Sequence, residues 1–251
     1  MRYVTSIDPC QVMDRATISK EHAVYKKERK IHQTHWGLLS NLRQLDLISK
    51  QIGIKFLLLH GALIGQYWNE RLLPWDTDVD VSILNVTQYE RWVKTLPKSD
   101  IRVKEHSDDH LYQQIYTVSD DFVIYLDLNP KHHIESRLIH LPSGVYTDIT
   151  YIYLKDNYYV MKGFEKKLWG GHRYTTKQLM PLRHCNLNNV SFLCPAEVKS
   201  VLRQEYKHFD NPHHTRFYFN STCWVKVSKA GTRPKRVPHK PKWGNRKEYH
   251  V

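Results

Sequence analysis

Apolar positions in the first fifth of the chain recur with the period of a helix. Between Ser19 and Ile52 they return every three, four or seven residues. Thr17 or Ser19 can cap the start, and Gly53 suits the position just after the end. This pattern predicts one long amphipathic helix with an apolar face against a core. The residues before it, 1–16, have no such period and are predicted to be an irregular arm.

The pattern then changes to short apolar runs separated by turn residues. Residues 54–60 form a compact apolar run that predicts a buried strand, followed by a glycine turn at Gly61 and a short helix. A second strand is predicted after the Pro-Trp turn, with Asp76, Asp78 and Asp80 at alternate positions. Because alternate residues of a strand point to one face, these three carboxylates are expected to stand in a row.

Three neighbouring carboxylates repel one another, and this repulsion raises their pKa values unless a cation lies between them. Hard divalent cations such as Mg²⁺ prefer oxygen ligands and often bind together with phosphates. The upstream turn His60-Gly61-Ala62-Leu63-Ile64-Gly65 opens a helix, where backbone N–H groups can bind an anion. The alternative is an acidic turn before an exposed edge strand, but apolar residues on both sides favour a place within a sheet.

A helix from Thr87 to about Leu96 is predicted from a capping box, and residues 101–160 are β-rich. Two of the predicted strands carry a further acid, Asp127 and Asp148. A metal site built on Asp-x-Asp needs another carboxylate from a neighbouring strand, and either acid can supply it.

The remaining chain has weaker patterns. Residues 156–180 predict a strand and a Gly-Gly loop, residues 180–195 an extended hairpin, and Pro195 the first turn of a helix that ends near Phe209. We therefore predict a central domain over 17–209, a packing segment over 210–227 and a disordered basic tail over 228–251.

Composition adds a strong positive charge. The 251 residues carry a formal net charge of +13, which favours an anionic partner. No apolar run is long enough to span a bilayer, and the first residues lack the apolar core of a signal peptide. These features predict a cytoplasmic protein. Cys185 and Cys194 can bridge a hairpin, but free buried thiols are the expectation for a cytosolic chain.

Two motifs resemble the LicD/fukutin-related family, namely Gly-Ala-Leu-Ile-Gly at 61–65 and Leu-Leu-Pro-Trp-Asp-Thr-Asp-Val-Asp-Val at 72–81. The form with Tyr67-Trp68-Asn69 is most similar to fungal members related to the yeast mannosylphosphorylation protein. The resemblance implies an α+β, nucleotidyltransferase-like fold: a mixed β-sheet with flanking helices. It also implies a Golgi or secretory-pathway location, in contrast to the prediction from the missing signal.

The same resemblance implies a function. Family members use Mg²⁺ or Mn²⁺ to move a phosphorylated sugar or alcohol from a nucleotide-sugar or CDP-alcohol donor to a glycan acceptor. Mannose phosphate is the group expected here. Asp76, Asp78, Asp80 and Asp148 are the expected catalytic residues, and the resemblance favours Asp148 over Asp127 as the third metal ligand beside Asp78 and Asp80. The candidate donor-binding residues are His60, Gly61, Gly65, Arg71 and Arg183.

One position departs from the family pattern. Ala62 stands where the family usually has Ser or Thr, whose hydroxyl can donate to a phosphate. Loss of a hydrogen bond to a charged group costs about 1.5–3 kcal/mol. Two alternatives therefore accompany the transferase hypothesis. One is a nucleotidyltransferase that acts on RNA or on a small molecule; the basic tail would hold the RNA, although nucleic acid is the less favoured partner. The other is a degenerate homologue that binds a glycosyltransferase.

Overall fold

The computed structural model describes residues 22–96, 113–127, 136–162, 172–206, 209, 217–219 and 224–226, and Thr34 is the first residue whose side chain is described. The helices of these ranges are α1 (His22–Ile52), α2 (His60–Asn69), α3 (Val86–Thr95), α4 (Thr176–Leu179) and α5 (Val198–Glu205). The strands are β1 (Phe56–Leu58), β2 (Val79–Leu84), β3 (Gln113–Ser119), β4 (Phe122–Asp127), β5 (Ser136–His140), β6 (Val145–Lys155), β7 (Tyr158–Met161), β8 (Arg173–Thr175), β9 (Arg183–Leu187), β10 (Val190–Cys194), β11 (Phe217–Phe219) and β12 (Trp224–Lys226).

A mixed sheet forms the centre of the fold. Its main path among the described strands runs β3-β4-β5-β6-β2-β1-β10-β9, while β7 pairs with β6 and β8 pairs with β7. The β2–β6 and β1–β10 pairs are parallel, and the other pairs of this sheet are antiparallel. The predicted α+β class with a mixed sheet and a long first helix is therefore confirmed.

Helix α1 covers one face of the sheet. Its side chains Leu38, Leu42 and Leu45 are fully buried, as their helical spacing predicts. The helix approaches the start of β6 closely: Asn41 Nδ2 donates to the carbonyl of Val145 at 3.3 Å. Since strand side chains alternate, Tyr146 and Asp148 of β6 lie on the opposite face from Val145.

Two predicted elements around the acidic motif differ from the structure. Strand β2 begins only at Val79, so Asp76 and Asp78 precede the strand and Asp80 alone lies within it. The reason is local: the Asp76 N–H donates to the Leu73 carbonyl at 3.1 Å, which closes a turn around Pro74. The predicted glycine turn is also absent from the described chain, because helix α2 already begins at His60.

Smaller differences concern helix ends. Helix α3 is capped by Asn85, whose side chain accepts from the Gln88 N–H at 2.9 Å, and not by the predicted Thr87 capping box. Helix α5 begins at Val198, three residues after Pro195, and ends at Glu205, before the predicted Phe209. The hairpin predicted within 180–195 is present as β9 and β10.

The expectation of free thiols is wrong for two cysteines. Cys185 and Cys194 form a disulfide across β9 and β10, with 5.9 Å between their Cα atoms. The register pairs Cys185 with Phe192 and Cys194 with Arg183, so the bridge is diagonal across the antiparallel pair. The hairpin brings the two thiols within bonding distance.

The chain divides into two compact units, residues 21–210 and residues 1–20 with 211–251. The first contains the sheet and the helices. In the second, the described residues form an antiparallel hairpin of β11 and β12. The predicted arm over 1–16 and the predicted tail over 228–251 lie outside the described residues. Within the described part of the chain, none of the helices combines the length and apolarity needed to cross a membrane.

Candidate active site

Two carboxylates face each other across the parallel pair at the centre of the sheet. Asp80 of β2 is the register partner of Asp148 of β6. Ser82 and Thr150 follow two residues later on the same face, and their hydroxyls are 2.6 Å apart in the core. The sheet therefore fixes Asp80 and Asp148 on neighbouring strands, about 4.8 Å apart along the hydrogen-bonding direction.

An arginine from the next strand holds Asp148. Arg137 Nε donates to Asp148 Oδ1 at 2.7 Å, and the two residues are register partners in β5 and β6. The guanidinium also lies over the ring of Tyr146, 4.9 Å from its centroid. Burial raises the pKa of Asp148, and the hydrogen bond from Arg137 opposes that shift. Arg137 thus orients one carboxylate oxygen and favours its ionised form.

Asp76 lies between the β2 entry and the start of α2. A Cβ added to Gly61 would stand 3.5 Å from Asp76 Oδ2, so the carboxylate packs directly on this glycine. Among the described residues, this buried oxygen has no hydrogen-bond partner. Burial and the nearby charge of Asp78 raise the pKa of Asp76 to about 7. The ionised form of the Asp76 carboxylate is therefore poorly stabilised by its surroundings.

The negative charge of Asp80 is also poorly stabilised. Burial raises its pKa to about 6, and the charges of Asp78 and Asp148 act in the same direction. His60 opposes this shift, because its imidazole lies close enough to stabilise the Asp80 carboxylate. Tyr206 lies at the same cluster, where burial and the charges of Glu205 and Asp80 raise its pKa.

The start of α2 brings His60 to the carboxylates. His60 has a φ of 53°, a left-handed conformation that costs a non-glycine residue about 1–3 kcal/mol. Its N–H donates to Glu205 Oε2 at 3.2 Å. Ala62 and Gly65, further along the helix, are buried in the core. The predicted donor-binding motif thus presents its first residues to the site and buries the later ones.

His60 also belongs to a polar cluster that the sequence analysis missed. It comprises His60, His172, Tyr174 and Glu205, from α2, the segment before β8, β8 and α5. Glu205 Oε2 is 3.4 Å from His60 Nδ1, and Glu205 Oε1 accepts from the Tyr174 hydroxyl at 2.5 Å. Although burial alone would raise the pKa of Glu205, His60 and Tyr174 hold it below its usual value.

Other predicted site residues are not brought to the carboxylates by these contacts. Arg183 is exposed on β9, which β1 and β10 separate from β2, a distance of about 14 Å at the usual strand spacing. Arg71 lies beside Gly65 in the turn after α2, where its N–H donates to the Gly65 carbonyl. Asp127 ends β4, two strands from β6, and its side chain lies outside the described residues. Their roles stay predictions.

The residues present fit a divalent cation. Asp76, Asp78, Asp80 and Asp148 bring four carboxylates together, and one buried oxygen among them lacks a partner within the described chain. A donor set made only of oxygens suits Mg²⁺ or Mn²⁺. The raised pKa values show that the ionised carboxylates are unfavourable without a nearby positive charge, which a bound cation would supply.

Comparison with known proteins agrees with the geometry. The profile of the family described as LicD/FKTN/FKRP, nucleotidyltransferase domain, matches residues 53–197, which include Asp76 to Asp80 and Asp148. Mannosyltransferase regulator 4 of Saccharomyces cerevisiae is 29% identical over 113 residues. That match covers 45% of this chain and 9% of the yeast protein, so the chain spans a small part of that relative's length.

Proposed function

The chain belongs to the LicD/FKTN/FKRP nucleotidyltransferase-domain family, and from that membership we propose that it transfers a phosphorylated sugar or alcohol from a nucleotide-diphosphate donor to a glycan hydroxyl. The family supports a phosphotransferase in glycan modification. The observation that carries the proposal is the set of four carboxylates around Asp80 and Asp148, two of them fixed in register on parallel strands.

In this proposal, Asp78, Asp80 and Asp148 would hold Mg²⁺ or Mn²⁺. When bound, the cation would neutralise the developing charge on the donor diphosphate. Arg137 keeps Asp148 ionised and oriented through the 2.7 Å hydrogen bond. The first turn of α2, at His60 and Gly61, would direct the positive end of a helix dipole toward the phosphates, although the His60 N–H itself donates to Glu205 Oε2.

The reaction is a displacement at phosphorus. The oxygen of the acceptor hydroxyl attacks the phosphorus that carries the sugar or alcohol, and the bond from this phosphorus to the bridging oxygen breaks. Nucleoside monophosphate leaves with that electron pair, and the hydroxyl proton passes to a carboxylate. Asp76 is our candidate base, because Oδ2 lies at the site and has no partner among the described residues.

We propose mannose phosphate as the group transferred. The support is the likeness to the yeast protein, whose name refers to a mannosyltransferase. GDP-mannose would then be the donor and a mannose-containing glycan the acceptor.

A thermal-shift titration tests the transferase proposal. Purified protein would be titrated with GDP-mannose, CDP-choline or CDP-ribitol, each with Mn²⁺, Mg²⁺ or chelator. A ligand that binds only the folded state raises the melting temperature. We expect GDP-mannose to do so only with metal, and Asp80→Asn to abolish the shift. Absence of any shift in folded protein would remove the support for a working donor site.

A second candidate function is that of a partner protein that regulates a mannosyltransferase without catalysis. One observation favours it: the yeast relative is named as a regulator. Both functions share the same fold, so the carboxylates alone do not separate them.

Product formation separates the two candidates. Purified protein would be incubated with radiolabelled GDP-mannose, Mn²⁺ and a mannan oligosaccharide, and acid-labile phosphodiester would be counted. The transferase proposal predicts product in the wild type and none with Asp80→Asn. The regulator function is favoured instead if the donor binds without product formation and if wild type and Asp80→Asn change the rate of a co-purified mannosyltransferase equally.

A further inference from the structure

Three potential metal ligands converge from distant parts of the chain beside the acidic cluster. One ligand atom from each of His60, His172 and Glu205 lies within 4.8 Å of the other two. The residues come from the start of α2, the segment just before β8 and the end of α5. We propose that this cluster is a Zn²⁺ site, separate from the Mg²⁺ or Mn²⁺ site formed by the aspartates.

The chemistry of the donor set distinguishes the two sites. The aspartates offer only oxygens, whereas the second cluster offers two imidazole nitrogens and one carboxylate. Zinc sites with an open position commonly use three such ligands, including two histidines and a glutamate, and leave the fourth position for water or a substrate oxygen. Imidazole favours zinc over Mg²⁺, which is bound by oxygen ligands.

The contact between the ligand atoms of His60 and Glu205 is long for a hydrogen bond and suitable for shared coordination. His60 Nδ1 is 3.4 Å from Glu205 Oε2. Hydrogen bonds of this type are usually 2.7–3.2 Å long. Two ligands of a tetrahedral zinc ion with bonds near 2.0–2.1 Å are separated by about 3.3 Å. The separation of His60 and Glu205 therefore matches a tetrahedral edge.

The surroundings of the cluster support a site that is already formed. The imidazole rings of His60 and His172 meet edge to face, with 4.6 Å between centroids. Glu205 is held from both sides, by the Tyr174 hydroxyl on Oε1 and by the His60 N–H on Oε2. Groups that hydrogen-bond to metal ligands orient them, and their loss typically lowers metal affinity by about 10–100-fold. The Tyr174 side chain is fully buried.

Zinc stoichiometry tests the site directly. Metal-free protein would be dialysed against a slight excess of Zn²⁺, then against buffer, and its zinc measured by mass spectrometry. We expect about one retained zinc per chain, which His172→Gln and Glu205→Gln both lose. Asp80→Asn should retain it, as should His184→Gln, which alters an exposed histidine on β9. Tyr174→Phe should bind zinc about 10–100-fold more weakly.

X-ray absorption of the wild-type zinc complex gives a readout that needs no variant. Two imidazole nitrogens at about 2.0–2.1 Å are expected. An all-oxygen shell would overturn the proposal, as would no retained zinc or zinc lost in Asp80→Asn and kept in His172→Gln. Because the probe is Zn²⁺ alone, the result is independent of donor binding and of transferase activity.

Discussion

Gly65 provides a sharp test of how α2 is held in place, because it was predicted to bind donor and the structure gives it a packing position. A Cβ added here would stand 2.3 Å from the carbonyl oxygen of Arg71. Side-chain Cβ atoms essentially never come within 3.0 Å of such an atom, so the turn must move by at least 0.7 Å. Gly65→Ala is therefore expected to destabilise the fold.

The turn that must move is fixed from two sides. On one side, the Glu70 N–H donates to the Gln66 carbonyl at 3.1 Å. On the other, Leu72 N–H donates to Asn188 Oδ1 and the Asn188 N–H donates to the Glu70 carbonyl, each at 2.8 Å. Overpacking typically costs about 1–3 kcal/mol, and each weakened hydrogen bond adds up to about 1 kcal/mol. The higher helix propensity of alanine than of glycine offsets about 1 kcal/mol of this cost.

We therefore expect Gly65→Ala to lower the free energy of unfolding by about 1–3 kcal/mol. Gly61→Ala is the matched control, since its Cβ would lie 3.5 Å from Asp76 Oδ2, an ordinary contact. This control should unfold at or above the wild-type midpoint, while its methyl group shields Asp76 and weakens Mn²⁺ binding. Urea unfolding followed by tryptophan fluorescence measures the first quantity, and Mn²⁺ titration the second.

The comparison of the two variants has a clear negative outcome. If Gly65→Ala is as stable as Gly61→Ala, the close approach of the Arg71 carbonyl does not constrain the helix and our reasoning fails. If Gly65→Ala keeps its stability but loses donor binding, the original interpretation of Gly65 as a donor-binding residue is the better one.

Three further predictions follow from the site and the disulfide. In chelator, the contribution of Asp76 to the free energy of unfolding should fall as pH rises from about 4 to 7, because its folded-state pKa, about 7, exceeds its ordinary 3.8. Asp76→Asn should reduce this slope in urea titrations at several pH values, and equal slopes would contradict the assignment. Arg137→Gln should lower the free energy of unfolding by about 1 kcal/mol, because it removes a charged hydrogen bond whose value is reduced by the partial exposure of the arginine. The same variant should weaken Mn²⁺ binding to Asp148. Calorimetry that finds unchanged Mn²⁺ affinity would exclude the orienting role. Replacing Cys185 and Cys194 together by Ala should lower the free energy of unfolding by about 2–3 kcal/mol, the loop-closure value for so short a loop, and chemical unfolding that matches the wild type would refute it.

The local sequence pattern was sufficient to predict those helices and strands that depend on residues close together in the sequence. The apolar period predicts α1, and the extended pattern of residues 180–195 predicts the β9–β10 hairpin. Arg137 also had an available signal, since it lies 11 residues before Asp148 across a short turn. Pairing those two strands around residues 141–144 would have placed the arginine opposite the aspartate, as the structure does.

Two local rules failed beside the acidic motif because other contacts were stronger. Alternation predicts Asp76, Asp78 and Asp80 on one strand face, but the Asp76 N–H donates to the Leu73 carbonyl in a turn, and the strand begins only at Val79, after the first two. A glycine after an apolar run predicts a turn, yet helix α2 starts before it, with His60 in the left-handed region.

The His60 cluster was beyond sequence reasoning for a different reason. Its contact with Glu205 joins residues 145 positions apart, and no short motif contains both. Such a pair becomes visible only when the β1–β10 pairing brings the start of α2 close to the segment that leads into α5. Functional groups that depend on strand order are therefore the ones that a single sequence leaves unassigned.

The carboxylates divide into a pair fixed on the strands and a pair on the segment that leads into β2, and this division bears on how the site works. Asp80 and Asp148 cannot separate, because six register pairs join β2 and β6. Their repulsion is therefore built into the sheet and has to be relieved by a proton, a cation or Arg137. A site that holds its charges in place before ligand binds needs little rearrangement when charge develops in the reaction. In the proposed transferase, the rigid sheet pair is thus the part best suited to fix a metal ion, and Asp76, on the turn, is the part best suited to exchange a proton with the proposed acceptor.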